Sequence, residues 1–184
     1  SLQMLTHYNN GRQIYRPVFS PDGKKIYFDS SIEDGRDIAV LDIKSGEVQF
    51  LLNEPFDERS PVLSSDGRYL YYASDETGIF NIYRYDLSSN KKQMISNVTG
   101  GAFYPGISVD NKLVFTLYKN TSFTVSQLNV PSAIETVKAK YSIANPNLIL
   151  TATSDNSNTN YPRRWATYPK SYDDRDRPTF DSLF

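Results

Sequence analysis

The sequence predicts an all-β fold of consecutive four-stranded antiparallel β-propeller blades, with about three blades present and the ring incomplete in this chain. Three observations predict it. The first is repetition. RPVFSPDGKKIYF begins at Arg16, SPVLSSDGRYLYY at Ser60 and YPGISVDNKLVFT at Tyr104, so Pro17, Pro61 and Pro105 recur every 44 residues, as do Asp22, Asp66 and Asp110. A fixed period of this length, carried by short strand-like runs, is the mark of stacked blades. The second is alternation within those runs, as where Ile26 and Phe28 share one face and Tyr27 takes the other. The third is turn chemistry: Asp22-Gly23 and Asp66-Gly67 sit between apolar runs. A tight primed hairpin with positive φ at both central positions is expected there.

The first repeat divides into a run from Arg16 to Ser20, a strand at Lys25 to Phe28, a polar loop from Ser30 to Arg36, a strand at Asp37 to Asp42, a turn at Lys44 to Gly46 and a fourth strand at Glu47 to Leu52. The second repeat places strands at Tyr69 to Ala73, Asn81 to Asp86 and Gln93 to Ser96. In the third, a one-residue deletion near Asn111 restores the alignment. Leu113 then matches Leu70 and Ile26, Phe115 matches Tyr72 and Phe28, Val125 matches Ile82 and Ile38, and Asn129 matches Asp86 and Asp42. Hairpin turns are expected at Asp22-Gly23, Asp66-Gly67 and Asn111-Lys112, and helix is expected to be nearly absent. The recurring aspartates are read as structural, their side chains capping the turn's own amides.

The residues that carry the repeat also carry a family resemblance. The pattern P-x-x-S-x-D-G-[KR]-x-[IL]-x-[FY], followed by D/N-I-x-x-x-D, resembles the blade repeat of TolB-like, WD-repeat-like β-propellers. It is also similar to blades of the tricorn protease and of prolyl-oligopeptidase-type peptidases. The resemblance runs from Gln3 to about Val130, and Leu2 to Thr6 looks like the last strand of a preceding blade. It implies a blade type more than an activity, because propellers host many unrelated functions.

Residues 1–130 are therefore expected to be blades, and 131–184 to hold a last outer strand at Glu135 to Lys140 followed by an extended or linker-like segment. Another strand is expected at Asn147 to Ala152, and a flexible polar loop from Ser154 to Asn160. Propellers close with four to eight blades. A six- or seven-bladed ring at this period would need on the order of 260 to 310 residues, and this chain has 184. The missing blades are expected from the same parent protein or another chain. The open sides at Leu2 to Thr6 and around Val125 to Lys140 would otherwise bare apolar faces.

Composition narrows the function classes. Twenty basic and 21 acidic residues give a net charge of −1, without the basic stripe that nucleic acid requires. No run approaches the roughly 20 apolar residues of a membrane-spanning helix. Cysteine is absent and His7 is the one histidine, so neither thiol catalysis nor a His/Cys metal centre can be assembled. There is no Gly-x-Ser-x-Gly elbow, and Gly100-Gly101 stands outside any phosphate-loop pattern. Asp155-x-Ser157-x-Thr159 begins like a calcium loop but has Asn160 at the sixth place and Ala166 at the twelfth. The cluster from Asp173 to Arg177 neutralises itself. Asn97-Val98-Thr99 and Asn120-Thr121-Ser122 match the common glycosylation pattern. No catalytic residue, cofactor or metal is expected.

Propeller loops present aromatics to partners. The connections between blades carry Phe56, Phe103 and Tyr104, and the loop before a third strand carries Phe80. These four are the candidate partner contacts; the competing role is to plug gaps between blades. The resemblance implies a non-catalytic protein-binding scaffold in the periplasm or cell envelope, part of a larger protein or complex and associated with an outer-membrane component. Tyr161 to Trp165 is faintly similar to the junction that precedes a barrel in some envelope proteins. Two alternatives are the propeller portion of a serine peptidase whose catalytic domain lies elsewhere, and a carbohydrate- or small-ligand-binding propeller.

Overall fold

Blade by blade, the chain runs inner strand to outer strand and then crosses to the next blade. A computed structural model describes residues 2–32 and 35–130, all of them within one compact unit. The first sheet has the order β1 (Gln13–Phe19), β2 (Lys25–Ser31), β3 (Asp37–Asp42), β4 (Val48–Leu52). The second is β5 (Glu58–Leu63), β6 (Tyr69–Ser74), β7 (Asn81–Asp86), β8 (Lys91–Met94). The third is β9 (Ala102–Ile107), β10 (Lys112–Lys119), β11 (Ser122–Asn129). All neighbours are antiparallel, and there is no helix among the described residues. The outer strand expected at Glu135 to Lys140 and the strand expected at Asn147 to Ala152 lie outside the described residues.

The repeat alignment reappears as register. Lys25 pairs with Asp42, Tyr69 with Asp86 and Lys112 with Asn129. Strand alternation then gives each blade two faces. Tyr27, Ile38 and Val40 of the first blade pack on Leu70, Tyr72 and Tyr83 of the second. The opposite face of the second blade, with Tyr71, Ala73 and Ile82, packs on Ala102, Leu113 and Phe115 of the third. Tyr72 and Tyr83 stack with ring centroids 5.7 Å apart. Burial, and then the carboxylates of Glu58, Glu54 and Glu76, keep the Tyr72 hydroxyl protonated.

The two ends of the stack differ. Val114 and Val125 on the far face of the third blade occupy the positions of Tyr71 and Ile82, yet Val125 is 85% exposed. On the far face of the first blade, Phe28, Ala39 and Leu41 are buried, with Ile26 and Val48 against them. A bare apolar face therefore exists at one end of the stack, where two were expected.

Leu2 to Thr6, read as the end of a preceding blade, pairs with no strand among the described residues. An outer strand belongs to a ladder, and the ladder it would join is that of a preceding blade. Two further expectations need correction. The hairpin loops are not two-residue primed turns. Gly23 donates its amide to the Ser20 carbonyl at 2.9 Å and Gly67 to Ser64 at 2.9 Å, with φ positive at Gly23 and Gly67 but not at Asp22 or Asp66. This is a type I turn followed by a glycine in the left-handed region. Asp22 and Asp66 do cap amides, accepting from Lys24 at 3.1 Å and Arg68 at 3.0 Å. Asp110 differs. The deletion removes the residue whose amide Asp22 and Asp66 cap; the Lys112 amide meets the Ser108 hydroxyl at 2.9 Å, as Lys25 meets Ser20 and Tyr69 meets Ser64, and Asp110 pairs instead with the Lys112 ammonium at 2.7 Å. Asn111, at φ 60, takes the glycine's place.

Asp42 and Asp86 cap the next turn in the same manner, through the amides of Lys44 and Ser45 and of Ser88 and Ser89. All five carboxyls lie below their ordinary value of 3.8. The leading cause is a serine hydroxyl for Asp22, Asp66 and Asp86, the Ser45 amide for Asp42, and Lys112 for Asp110, which is lowered to about 2. A carboxyl depressed in the folded state contributes stability that is complete above the unfolded value and is lost as pH falls through the folded one. The urea midpoint should therefore hold steady from about pH 7 to 5 and drop between about pH 4 and 2. The Asp22→Asn, Asp66→Asn double variant should show a shallower acid limb; an unchanged limb would refute this assignment.

Candidate functional site: an arginine-capped aromatic ladder on the inner rim

The innermost strands are β1, β5 and β9. β5 packs on β1, β2 and β3 of the blade before it, and β9 packs on β5, β6 and β7, whereas the backbones of β4 and β8 lie close chiefly to the strand before them. The first strands therefore adjoin one another where the blades converge.

Each inner strand breaks its ladder at the same place. The register of β1 shifts between Tyr15 and Val18, that of β5 between Arg59 and Val62, and that of β9 between its Phe103 and Gly106 pairings. At each break a non-glycine residue takes positive φ: Arg16 at 44°, Ser60 at 57° and Tyr104 at 53°. These residues precede Pro17, Pro61 and Pro105 and are themselves 44 residues apart. A residue before proline normally reads as extended, so the sequence hid this feature. The proline supplies no amide to the ladder, and the left-handed residue before it turns the strand and re-aims its side chain. Such a conformation costs about 1–3 kcal/mol at a non-glycine residue. Its recurrence makes the bulge part of the blade, while the side chain it presents varies: Arg, Ser, Tyr.

The Arg16 guanidinium lies over the Tyr104 ring, 4.3 Å from the centroid, reaching from the first blade to the third. The rings of Tyr104 and Phe103 are 6.3 Å apart, and those of Phe103 and Phe80 5.1 Å. The Arg59 guanidinium lies 4.9 Å from the Phe80 centroid. Phe103 also reaches Phe123, which meets Tyr118 at 4.8 Å. The result is one aromatic ladder with an arginine at each end. Tyr104 is half exposed; Phe80 and Phe103 are partly buried.

The two arginines differ electrically. Arg59 makes two hydrogen bonds to the Asp57 carboxylate, one of them 2.7 Å from Nε. Asp57 is in turn positioned by its own amide, which donates to Asp75 at 2.9 Å. Its hydrogen bonds to the Asp57 carboxylate hold Arg59 firmly charged against its partial burial. Arg16 has no ion pair or hydrogen bond among the described residues. Its ring stack is its one contact of this kind there.

Of the four candidate contacts, Phe80, Phe103 and Tyr104 come together. Phe56 lies instead beside Lys92, 5.8 Å from its ammonium, which bridges Glu54 at 2.5 Å and Glu76 at 2.8 Å. Phe103 and Tyr104 are not in a connection, as expected, but inside β9. The bulge allows pairing to continue upstream of the proline. Gly100 marks where the chain enters this strand: a Cβ there would meet the Tyr118 carbonyl oxygen at 1.9 Å. His7 lies in the exposed segment before β1. Among the described residues no group of three His, Cys, Asp or Glu could hold a metal ion. No helix there is long and apolar enough to cross a membrane, which says nothing of a β-barrel.

Repeated four-stranded sheets, converging inner strands and a bulge before each repeat proline define a β-propeller module. Residues 6–147 match the TolB β-propeller domain family, and the chain belongs to that family. Among solved structures it is similar to a TolB-type protein of Agrobacterium tumefaciens, at 25% identity and TM-score 0.58, over 64% of this chain and 45% of that one. It is similar to TolB from Acinetobacter baumannii at 22% identity and TM-score 0.57, over 72% of this chain and 33% of that one. A prolyl endopeptidase aligns at 21% identity and TM-score 0.54, over 67% of this chain and 21% of that one. The chain thus spans less than half the length of these structures. No curated protein matches it.

Proposed function

We propose that this chain is a non-catalytic protein-binding scaffold of TolB-like type, and that it holds its partner on the inner-rim ladder of Phe80, Phe103 and Tyr104. The observation that carries this reading is the Arg16–Tyr104 stack, a half-exposed aromatic contact built across two blades from residues that the bulges aim at the rim. Rigid rings and arginines are the side chains that dominate binding energy at interfaces. A propeller keeps them fixed, so little ordering entropy is lost on association. Phe56, packed beside Lys92, is assigned to the blade junction instead. Family membership supports a place in the periplasm or cell envelope, within a larger protein or complex associated with the outer membrane.

The test separates anchor from plug. Tyr104→Ala should weaken partner binding by about 1–2 kcal/mol and leave Tm nearly unchanged, because its ring is half exposed. Phe80→Ala, partly buried between Arg59 and Phe103, should lower both affinity and Tm. If Tyr104→Ala lowers Tm and leaves the affinity of the folded protein unchanged, the ring is a plug and the rim is not the binding site. Hydrolytic turnover by the purified chain that is lost on changing a single residue would defeat the non-catalytic reading.

A further inference from the structure

We infer that Arg16, held over the Tyr104 ring, anchors a carboxylate of the partner, so that the rim takes a peptide segment carrying an Asp or Glu side chain between apolar neighbours. This rests on the rim being the binding site and adds the chemistry of what it binds.

The argument starts from the two ends of the ladder. Arg59 is already neutralised by Asp57 and held in place through Asp75. Arg16 presents a charge that no carboxylate answers among the described residues. A guanidinium that makes no hydrogen bond keeps its N–H donors free, and a carboxylate meets its edge with two parallel bonds. Lysine could supply the charge but neither the stack nor the fork. The surroundings select a single negative charge. Arg59 is committed to Asp57, so the ladder offers one uncommitted guanidinium, whereas phosphate-recognising sites gather several arginines. The rest of the ladder is apolar. Tyr104, Phe103 and Phe80 continue away from Arg16 with centroid spacings of 6.3 and 5.1 Å. A segment whose carboxylate meets Arg16 therefore lays its neighbouring side chains on rings. The backbone at Arg16 is that of Ser60 and Tyr104, so the blade fixes the geometry and the arginine alone sets the chemistry.

The test uses the whole 184-residue chain and two capped synthetic peptides, Gly-Phe-Asp-Phe-Gly and its Asn counterpart, titrated by amide NMR shifts, which also report folding. The Asp peptide should bind about ten-fold tighter than the Asn peptide. Arg16→Gln should remove that advantage, weakening the Asp peptide about ten-fold and leaving the Asn peptide unchanged. Arg16→Lys should recover little of it. Raising salt from about 50 to 300 mM should weaken only the Asp peptide on the unaltered chain. Equal binding of the two peptides, or no effect of Arg16→Gln, overturns the carboxylate inference; the rim reading survives that outcome if Tyr104→Ala still weakens both peptides. If both peptides bind and Tyr104→Ala changes neither, the rim reading itself fails. Binding of neither peptide at millimolar concentration overturns the inference as well.

Discussion

Replacing Asn81 by Ala is expected to destabilise the chain by about 2–4 kcal/mol, among the largest single effects available in the second blade. Asn81 opens β7 and is fully buried. Its Oδ1 accepts from the Ser96 hydroxyl at 3.0 Å and from the Val98 amide at 3.0 Å. Its Nδ2 donates to the Thr77 hydroxyl at 3.2 Å and the Ile79 carbonyl at 3.3 Å. Ser96 in turn accepts from the Ile82 amide at 2.8 Å. One amide side chain thus ties the loop before β7 to the segment leaving β8 toward the third blade. Alanine leaves the buried Ser96 hydroxyl and the part-buried Val98 amide without their acceptor, and a buried orphan costs about 1–3 kcal/mol. Urea unfolding gives the value. Ser96→Ala, which leaves Asn81 its Val98 partner, should cost less. A loss below about 1 kcal/mol for Asn81→Ala would mean that the network is replaceable by solvent.

What the sequence disclosed and what it concealed follow from the range of the interactions. The strands at Asp37 to Asp42 and Asn81 to Asp86 were readable to the residue, because alternation and a capping aspartate lie within a few positions of each other. The equivalence of Lys25, Tyr69 and Lys112 was readable after the deletion at Asn111, because a repeat carries its register with it. The bulge was not readable. Proline before an apolar run announces an extended neighbour, and the left-handed turn at Arg16, Ser60 and Tyr104 is forced by pairing with β2, β6 and β10. The rim cluster was half visible. Aromatic character singled out Phe80, Phe103 and Tyr104, and could not separate them from Phe56, which packs elsewhere. Arg16 and Arg59 carry no local signal, since their partners Tyr104 and Phe80 come from other segments of the chain. The period that revealed the fold held the missing signal: three residues in one repeat position, of which only the middle one is small.

Asp29→Ala is expected to cost about 2–4 kcal/mol and to loosen the rim as well. Asp29 lies in β2 and is fully buried. It accepts from Arg36 at 2.8 Å and, across the blade boundary, from the Ser60 amide at 3.3 Å. Arg36 stacks on Tyr15 at 3.7 Å, and its carbonyl accepts from the Glu58 amide at 2.8 Å. Asp29 therefore joins β2, the loop after it and the bulge of β5 in one buried group, at a position where the other blades carry Ala73 and Thr116. Breaking a buried pair by removing one partner costs about 3–5 kcal/mol; the partial exposure of Arg36 moves the expectation downward. The Ser60 amide loses its acceptor while its residue still holds a positive φ, so the middle bulge of the rim should open more often. Amide exchange at Ser60 should accelerate more than the global loss of stability explains. Asp29→Asn keeps an acceptor for that amide and loses only the charge toward Arg36. It should recover most of the Ser60 protection while recovering less of the stability. If Asp29→Ala leaves both the urea midpoint and Ser60 exchange near their original values, the blade boundary is held by the apolar contacts of Tyr27, Ile38 and Tyr72 alone, and the rim owes nothing to this carboxylate.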